Sequence, residues 1–344
     1  MTPDHGDLVA VDENATVQDV TRECIRCHER STQDVLKSAH WNWAGHSPEV
    51  GGYEDSDSLG LNTLVNNYMF GTGPNAEYCA ACHIGTEPLP DRLEDRDPAT
   101  VDCLTCHDTT GTYIKMIGGG GRPVDGIDLV AAARSVGRPS RERCGNCHFY
   151  SDGSANIKHG DLEPALVDPP DDMDIHMGRY DMLCQDCHTT REHKIAGMSM
   201  SAPAVEGRVF CTRCHSDTPH GMAGAYSRHL DDHLRSVACQ VCHIPNIARR
   251  TPTRTSIDWS KAADYGPVPL TDRGLPDWPE ESGVEIWARN VVPEYRWYDG
   301  TRTVKVLGET IDPRGTVYLN QPQGDKRDPH ALISAFKAHR AMQP

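Results

Sequence analysis

The chain has 344 residues, with 34 basic and 50 acidic side chains, so its formal net charge is -16. This acidity argues against binding to nucleic acid or to an anionic membrane. The sequence has no run of about 18 apolar residues, the length needed to span a bilayer. Only 37% of the residues are apolar and only 4 are Phe, beside 30 Gly and 24 Pro, so we expect something other than side chains to fill part of the interior.

Helical segments are predicted at three places along the first two thirds of the chain. Residues 18–40 predict a helix that breaks near Ser31, residues 126–136 predict a short helix, and residues 225–243 have the strongest helical periodicity. Gly- and Pro-rich stretches between them predict loops at 51–60, 118–123 and 168–172.

The end of the chain differs in character from the rest. Residues 244–344 contain no Cys but four of the six Trp. Segments 303–307 and 316–319 alternate as strands do, with a DPRG turn between them. We expect residues 244–344 to form a strap packed on a core of residues 1–243, rather than an independent domain.

All fourteen cysteines lie in seven C-x-x-C pairs, and a histidine directly follows each pair. The seven motifs are Cys24/Cys27/His28, Cys79/Cys82/His83, Cys103/Cys106/His107, Cys144/Cys147/His148, Cys184/Cys187/His188, Cys211/Cys214/His215 and Cys239/Cys242/His243. C-x-x-C-H is the attachment signature of haem c, in which the two thiols bind the porphyrin vinyl groups and the histidine binds the iron.

Zinc ribbons, redox dithiols and disulfide frameworks also use C-x-x-C pairs, but none requires the following histidine. Since 18 of the 344 residues are His, seven such coincidences would arise by chance about once in a billion sequences. The motifs therefore predict seven covalently bound haem c groups. The expected fold is a multihaem cytochrome c, mainly α, with irregular loops around a packed haem core and little β structure in the tail.

The motifs also indicate a compartment. Haem is attached covalently outside the cytoplasm, so we expect a periplasmic or other extracytoplasmic protein. The opening MTPDHGDLV is polar and acidic rather than an export signal. We therefore expect this sequence to be a mature, trimmed or fragmentary form.

Eleven histidines remain to supply second axial ligands to the irons, and bis-His irons pass electrons without binding substrate. We favour as distal ligands His40, His159, His176, His193, His220 and His233, then His5 and His229, and rank His46, His330 and His339 lower. Met173 and Met177, which flank His176, are better explained by packing against porphyrin than by ligation. Sequence alone does not pair each distal histidine with its haem.

The segment VDCLTCHDTTGTYIK at 101–115 resembles the octahaem tetrathionate reductase family, relatives of hydroxylamine oxidoreductases and multihaem nitrite reductases. Further blocks of likeness are SAHWNW (38–43), NNYMFG (66–71), CGNCHFY (144–150), KHGDL (158–162), DIHM (174–177), CQDCHTTREHKI (184–195), HLRSVACQVCHIP (233–245), IDWSKA (257–262) and NVVPEYRW (290–297). The likeness covers nearly the whole chain.

The resemblance implies an enzyme in which most haems are bis-His electron carriers and one haem is the reaction site. In the family, the haem of the second motif is bound by its own histidine and by a lysine amine. Carried over, these ligands are His83 and Lys115. Near these ligands in the sequence are Asp108, Tyr113 and Tyr78, which we expect as candidates to relay protons to the reaction site. The implied substrate is tetrathionate, nitrite or hydroxylamine.

Three features depart from the family pattern. The family has eight haem motifs and this chain has seven, so it is either a fragment or a seven-haem variant. Met69 stands where many relatives have a cysteine near the reactive haem, and IGTEPL follows the second motif where an aromatic-containing sequence is expected. The last two differences bear on sulfur chemistry and on the lining of the pocket.

Two functions stay open at this stage. One is a respiratory reductase that receives electrons from a redox partner cytochrome or a membrane quinol dehydrogenase and passes them to a small anionic or nitrogenous substrate. The other is a non-catalytic electron conduit in which every iron is saturated, and the eleven spare histidines would allow it.

Overall fold

The structure, a computed structural model, describes residues 4–65, 75–86, 97–151, 154–197, 209–221, 226–261 and 283–342. Its α-helices are α1 (Val17–Leu36), α2 (Ala39–Asn42), α3 (Ala76–Cys79), α4 (Leu104–His107), α5 (Leu129–Arg134), α6 (Arg141–His148), α7 (Ile175–Arg179), α8 (Cys184–Cys187), α9 (Ser227–His233) and α10 (Cys239–His243). Within the ranges described, none of these helices has the length and apolar character needed to cross a bilayer.

Helix α1 begins and breaks where its sequence indicates. The Thr16 hydroxyl accepts a hydrogen bond from the Asp19 backbone N–H at 3.2 Å, and the Asp19 carboxylate accepts one from the Thr16 N–H at 3.0 Å. This reciprocal pair satisfies two backbone donors at the N-terminus. Helical geometry is interrupted at His28, with φ -117° and ψ 34°. The break therefore falls at the first motif's histidine, slightly before the predicted position at Ser31.

The other two predicted helices are shorter in the structure. The segment at 126–136 forms α5, which starts after Asp128, whose carboxylate accepts from the Ala131 N–H at 2.8 Å. The segment at 225–243 is divided into α9 and α10. Between them the Ala238 N–H donates to the Ile333 carbonyl oxygen at 2.9 Å. This hydrogen bond to the tail replaces a helical one, so the helix is interrupted here.

The haem motifs lie on short helices and turns. Helices α4, α6 and α10 end at the motif histidines His107, His148 and His243. The first cysteine of a motif shares a helix face with the second cysteine, three residues on, and with the histidine, four residues on, because residues three and four apart lie on one face. This is the arrangement that one porphyrin needs.

Buried apolar side chains form four small clusters among the described residues. The largest has seven buried members and joins α1, α4 and α5 through residues such as Val20, Leu104 and Ala132. Cys24 packs against this cluster and Cys103 against a second one. Among the described residues the apolar interior is therefore divided into separate patches, and attachment cysteines lie at the edges of two of them.

The tail is built from strands rather than helices in the part that is described. The strands of the chain are β1 (Ala44–Gly45), β2 (Leu59–Gly60), β3 (Tyr150–Ser151), β4 (Ser154–Ala155), β5 (Thr190–Arg191), β6 (Lys194–Ile195), β7 (Thr253–Asp258), β8 (Val284–Ala288), β9 (Glu294–Tyr298), β10 (Arg302–Val304), β11 (Asn320–Pro322), β12 (Leu332–Phe336) and β13 (Arg340–Met342). Strand β7 lies between β13, to which it is parallel, and β8, to which it is antiparallel, while β9 pairs with β12 and β10 with β11. The tail thus holds more β structure than its sequence predicts.

The strand predicted at 303–307 is shorter because its second half changes partner. Arg302 to Val304 pair with β11, whereas Val306 bridges to Leu64 and the Leu307 N–H bonds to the Thr63 carbonyl at 2.8 Å. The strand predicted at 316–319 likewise lies a few residues later, at β11. Backbone pairing of residues 305–307 with residues 63–65, which no local pattern indicates, ends β10 at Val304.

Tail and motif-bearing residues are joined at several points. The Arg302 N–H bonds to the Glu49 carbonyl at 2.8 Å, and their buried side chains form an ion pair at 3.0 Å. The Ile333 N–H bonds to the Ser236 carbonyl at 2.7 Å. These contacts hold the tail against the segments that carry the first and last motifs.

Candidate haem sites

All fourteen motif cysteines lie in the described part of the chain, and none of them forms a disulfide. Sulfur atoms of different motifs are close neighbours in the pairs Cys24–Cys103, Cys82–Cys147, Cys144–Cys184 and Cys211–Cys239. The first and third motifs are therefore neighbours, as are the second and fourth, the fourth and fifth, and the sixth and seventh.

The polypeptide does not enclose the fourteen thiols equally. Eight are half-buried, and six are exposed: Cys27, Cys82, Cys187, Cys211, Cys214 and Cys242. Cys82 still contacts Cys147, and Cys211 contacts Cys239, so exposure does not separate those motifs from their neighbours.

The exposure of Cys27, Cys214 and Cys242 has a local cause. Cys27 lies on a turn of α1 in which all residues from 26 to 30 are exposed. Cys214 and Cys242 belong to the stretch 209–243, and none of the four apolar clusters of the described chain includes a residue from it. These three thiols therefore lie outside the apolar clusters that the described side chains form.

Five motif histidines have a second imidazole facing them at nearly the same separation. The ring centres are 6.3 Å apart for His28–His5, 6.1 Å for His148–His40, 6.4 Å for His107–His193, 5.9 Å for His215–His176 and 6.3 Å for His243–His220. Two imidazoles that bind opposite faces of one metal ion through bonds of about 2 Å have ring centres about 6 Å apart. These five pairs fit the axial ligands of a haem iron.

The ring orientations at two motifs agree with this role. His107 Nδ1 lies 2.8 Å from the Gly137 carbonyl oxygen, and His188 Nδ1 lies 2.8 Å from that of Ala196. Because a carbonyl oxygen only accepts, Nδ1 carries the proton and Nε2 has the lone pair that a metal needs. The backbone thereby selects the tautomer before any metal binds.

Three predicted distal ligands are not placed opposite a motif histidine. His229 and His233 lie one turn apart on α9, with ring centres 4.9 Å apart, and contact each other. Burial lowers the pKa of His159 to about 3, and His148 and Lys158 are among its charged neighbours. Of the three lower-ranked histidines, His46 is an exposed partner of Asp57, His330 lies in an exposed turn, and burial lowers the pKa of His339 to about 3.

His83 differs from the five paired motif histidines. It is fully buried; its Nε2 lies 3.0 Å from the Trp41 carbonyl oxygen, and its Nδ1 accepts from the Gly85 N–H at 3.2 Å. A Cβ at Gly85 would come within 2.8 Å of the Trp41 ring and 3.0 Å of the His83 ring. Within the described ranges no second imidazole faces His83 at the 6 Å separation, and the same holds for His188.

The Lys115 side chain is buried against the backbone of the second motif. Its Nζ donates to the His83 carbonyl oxygen and, at 2.7 Å, to that of Gly85. Burial lowers the pKa of Lys115, and the attraction of Asp102 opposes that shift. The site therefore brings one imidazole and one amine close together, both nitrogen donors of the kind that bind iron. In this structure each is hydrogen-bonded to a backbone carbonyl oxygen, His83 Nε2 to Trp41 and Lys115 Nζ to Gly85, so ligation requires each nitrogen to leave that partner.

Asp102 is a member of the site that sequence reasoning missed. Its Oδ2 accepts from the Tyr113 hydroxyl at 2.7 Å and lies 3.6 Å from Lys115 Nζ. Burial, followed by the charge of Asp102, raises the pKa of Tyr113, so the phenol stays protonated and donates. An available signal was the position of Asp102 directly before Cys103, in the same block as Lys115.

The remaining predicted proton-relay residues have other surroundings. Asp108 is buried 3.4 Å from the Arg143 guanidinium, and it accepts from the Gly111 and Tyr113 N–H groups at 3.1 and 3.3 Å. Asp108 thus holds the loop that leads to Lys115. Tyr78 is 37% exposed on α3, and Met69, together with the end of the IGTEPL segment, lies outside the described residues.

Comparisons with known proteins agree with the haem motifs. A family model described as "Cytochrome c bacterial" matches residues 254–344. An uncharacterized protein of Archaeoglobus fulgidus is 24% identical over 250 residues, which cover 54% of this chain and 78% of that protein.

A solved structure resembles nearly the whole chain. It is described as the crystal structure of octaheme cytochrome c from Shewanella oneidensis, with a TM-score of 0.81 and 35% identity. The match covers 98% of this chain and 75% of that one. At this identity and coverage, the chain belongs to the multihaem c-type cytochromes, proteins that bind haem c and transfer electrons.

Proposed function

We propose that this cytochrome carries seven haem c groups and passes electrons to a reaction site at His83, where a small oxidised sulfur or nitrogen compound is reduced. Tetrathionate, nitrite and hydroxylamine are the candidate substrates. Bound haem supplies one-electron carriers at the bis-His sites and a Lewis-acidic iron at His83. As haem c is attached outside the cytoplasm, we also place the protein in the periplasm or an equivalent compartment.

The observation that carries the proposal is the difference between His83 and the other motif histidines. Five of them face an imidazole, whereas His83 has a buried lysine amine beside it. For His188 we propose His159 as the second ligand, since both lie near His148. An amine is a weaker, displaceable ligand when its surroundings compete for it, so it suits the one site that must admit a substrate.

The thiol contacts support a route for electrons to His83. Cys147 of the fourth motif is a neighbour of Cys82 in the second and of Cys106 in the third, and Cys144 contacts Cys184 in the fifth. The fourth motif therefore lies near three others. We propose that electrons from a redox partner reach the reaction site through it.

The residues around the site can donate hydrogen bonds to an anion. Lys115 is a buried N–H donor, and Tyr113 is a phenol that keeps its proton, because burial and Asp102 raise its pKa. Asp108 and Arg143 fix the loop that carries both residues. The substrate would thus meet fixed donors in a site with little water, where charge–dipole interactions are strongest.

This function is tested with the holoprotein and reduced viologen. We expect catalytic oxidation of viologen by at least one of the three substrates, and a change in the spectrum of one haem on addition of cyanide or nitrite. The alternative, a non-catalytic conduit between a quinol-oxidising partner and an external acceptor, predicts only low-spin haem that does not respond to added ligands and no turnover.

Replacing His193 with alanine tests the bis-His pairs. We expect all seven haems to remain attached while one changes from low to high spin, because His107 loses the imidazole 6.4 Å from it. Mass spectrometry and electron paramagnetic resonance measure the two effects. His46→Ala, at an exposed histidine paired with Asp57, is the matched control, and an unchanged spin state in His193→Ala would exclude the pairing.

A further inference from the structure

The Lys115 amino group lies among three oxygen atoms that the chain places around it. Two are the carbonyl oxygens of His83 and Gly85, and the third is Asp102 Oδ2 at 3.6 Å. Lys115 is 7% exposed and Asp102 2% exposed, so water cannot replace these oxygens. The polypeptide thus surrounds the amine with three oxygen acceptors.

The Asp102 carboxylate is held so that it cannot turn away from the amine. Its Oδ2 accepts from the Tyr113 hydroxyl at 2.7 Å, and its Oδ1 from the Thr105 N–H at 3.3 Å. Its backbone N–H donates to the Ile84 carbonyl at 2.7 Å. This last bond joins the segment after His83 to the segment before Cys103, so the carboxylate is fixed between two haem motifs.

We propose that Asp102 and the carbonyl oxygens of His83 and Gly85 form a receiving site for the Lys115 amino group when an external ligand takes its place on the iron. The inference rests on the proposed function, in which Lys115 is the second ligand of the haem at His83. Asp102 is a positioning residue: it acts on the iron site only through Lys115.

The physical reason is the cost of leaving a buried polar group without partners. An amine released into an apolar pocket would lose its bond to the metal and gain nothing, so displacement would be resisted. With three acceptors in place, the released amine is stabilised and the external ligand binds more tightly. Ligand affinity at His83 therefore depends on a carboxylate that does not contact the iron.

The experiment is a spectral titration of the holoprotein with cyanide. Asp102→Asn weakens the receiving site, and we expect the dissociation constant for cyanide to rise about tenfold. Tyr113→Phe removes a competing donor from Asp102 Oδ2, while the Thr105 N–H still holds Asp102 Oδ1 in place, so we expect tighter cyanide binding. If Asp102 and Tyr113 only supported the fold, their substitutions would not be expected to shift the cyanide dissociation constant in opposite directions. Glu49→Gln, at a buried carboxylate paired with Arg302, is the control and should leave the affinity unchanged.

A double-mutant cycle separates this inference from the proposed function. In a Lys115→Leu background, Asp102→Asn should no longer change the affinity, because no amine remains to be received. The same rise in that background would show that Asp102 acts by its charge on the iron, which overturns the inference. If the Asp102→Asn variant does not assemble with haem, the Tyr113→Phe variant tests the inference instead. An unchanged or weakened cyanide affinity in Tyr113→Phe would then overturn the inference. If Lys115→Leu alone leaves the spectrum and the affinity as they were, the ligand role itself fails.

Discussion

Substitution of Lys115 by leucine is expected to lower substrate reduction with reduced viologen at least about 100-fold, the usual scale for losing a positioned donor in a water-poor site. Lys115 is the buried amine beside His83, with its Nζ 2.7 Å from the Gly85 carbonyl oxygen. Leucine fills similar space but neither binds iron nor donates a proton. The measurement combines steady-state turnover with the optical spectrum of the holoprotein.

Lys115→His is the complementary change. An imidazole at this position would make the site bis-His, so we expect a low-spin haem that no longer binds cyanide. Lys326→Leu, at an exposed turn, controls for loss of a positive charge. Wild-type turnover and spectra in both Lys115 variants would reject the assigned role and favour the electron conduit.

Substitution of Arg143 by methionine is expected to destabilise the protein by about 3–5 kcal/mol, because it leaves the Asp108 carboxylate buried without a counter-charge. The Arg143 and Asp108 side chains are 1% and 0% exposed, at a separation of 3.4 Å. Arg143 also donates to the Tyr113 carbonyl oxygen, so its loss frees the loop that carries Lys115. Guanidinium denaturation of the holoprotein, with haem content checked by mass, measures the change.

The matched control is an ion pair in solvent. Arg314 and Asp312 lie 2.7 Å apart, but their side chains are 87% and 58% exposed. Such pairs contribute about 0–1 kcal/mol to the free energy of unfolding. Arg314→Met should therefore scarcely change the midpoint of guanidinium denaturation. Equal shifts in the two variants would show that the buried pair has no special structural role.

The helices illustrate what local sequence can and cannot predict. Capping residues such as Thr16 and Asp128 mark helix starts that the structure shows. The division of 225–243 into α9 and α10 depends on Ile333, nearly 100 residues later, whose carbonyl pairs with Ala238. The separation of residues 1–243 from 244–344 as core and strap stays a prediction, as do the roles of the individual distal histidines.

The haem-attachment chemistry was readable from the sequence alone, since covalent attachment needs two thiols and an imidazole at fixed spacing, and that spacing is local. Which histidines face each other, and that Asp102 lies 3.6 Å from the Lys115 amine, was decided only by the tertiary structure. Contacts such as that of His107 with His193 join residues that are far apart in the sequence. No periodic sequence pattern predicts them, because they depend on how separate segments pack.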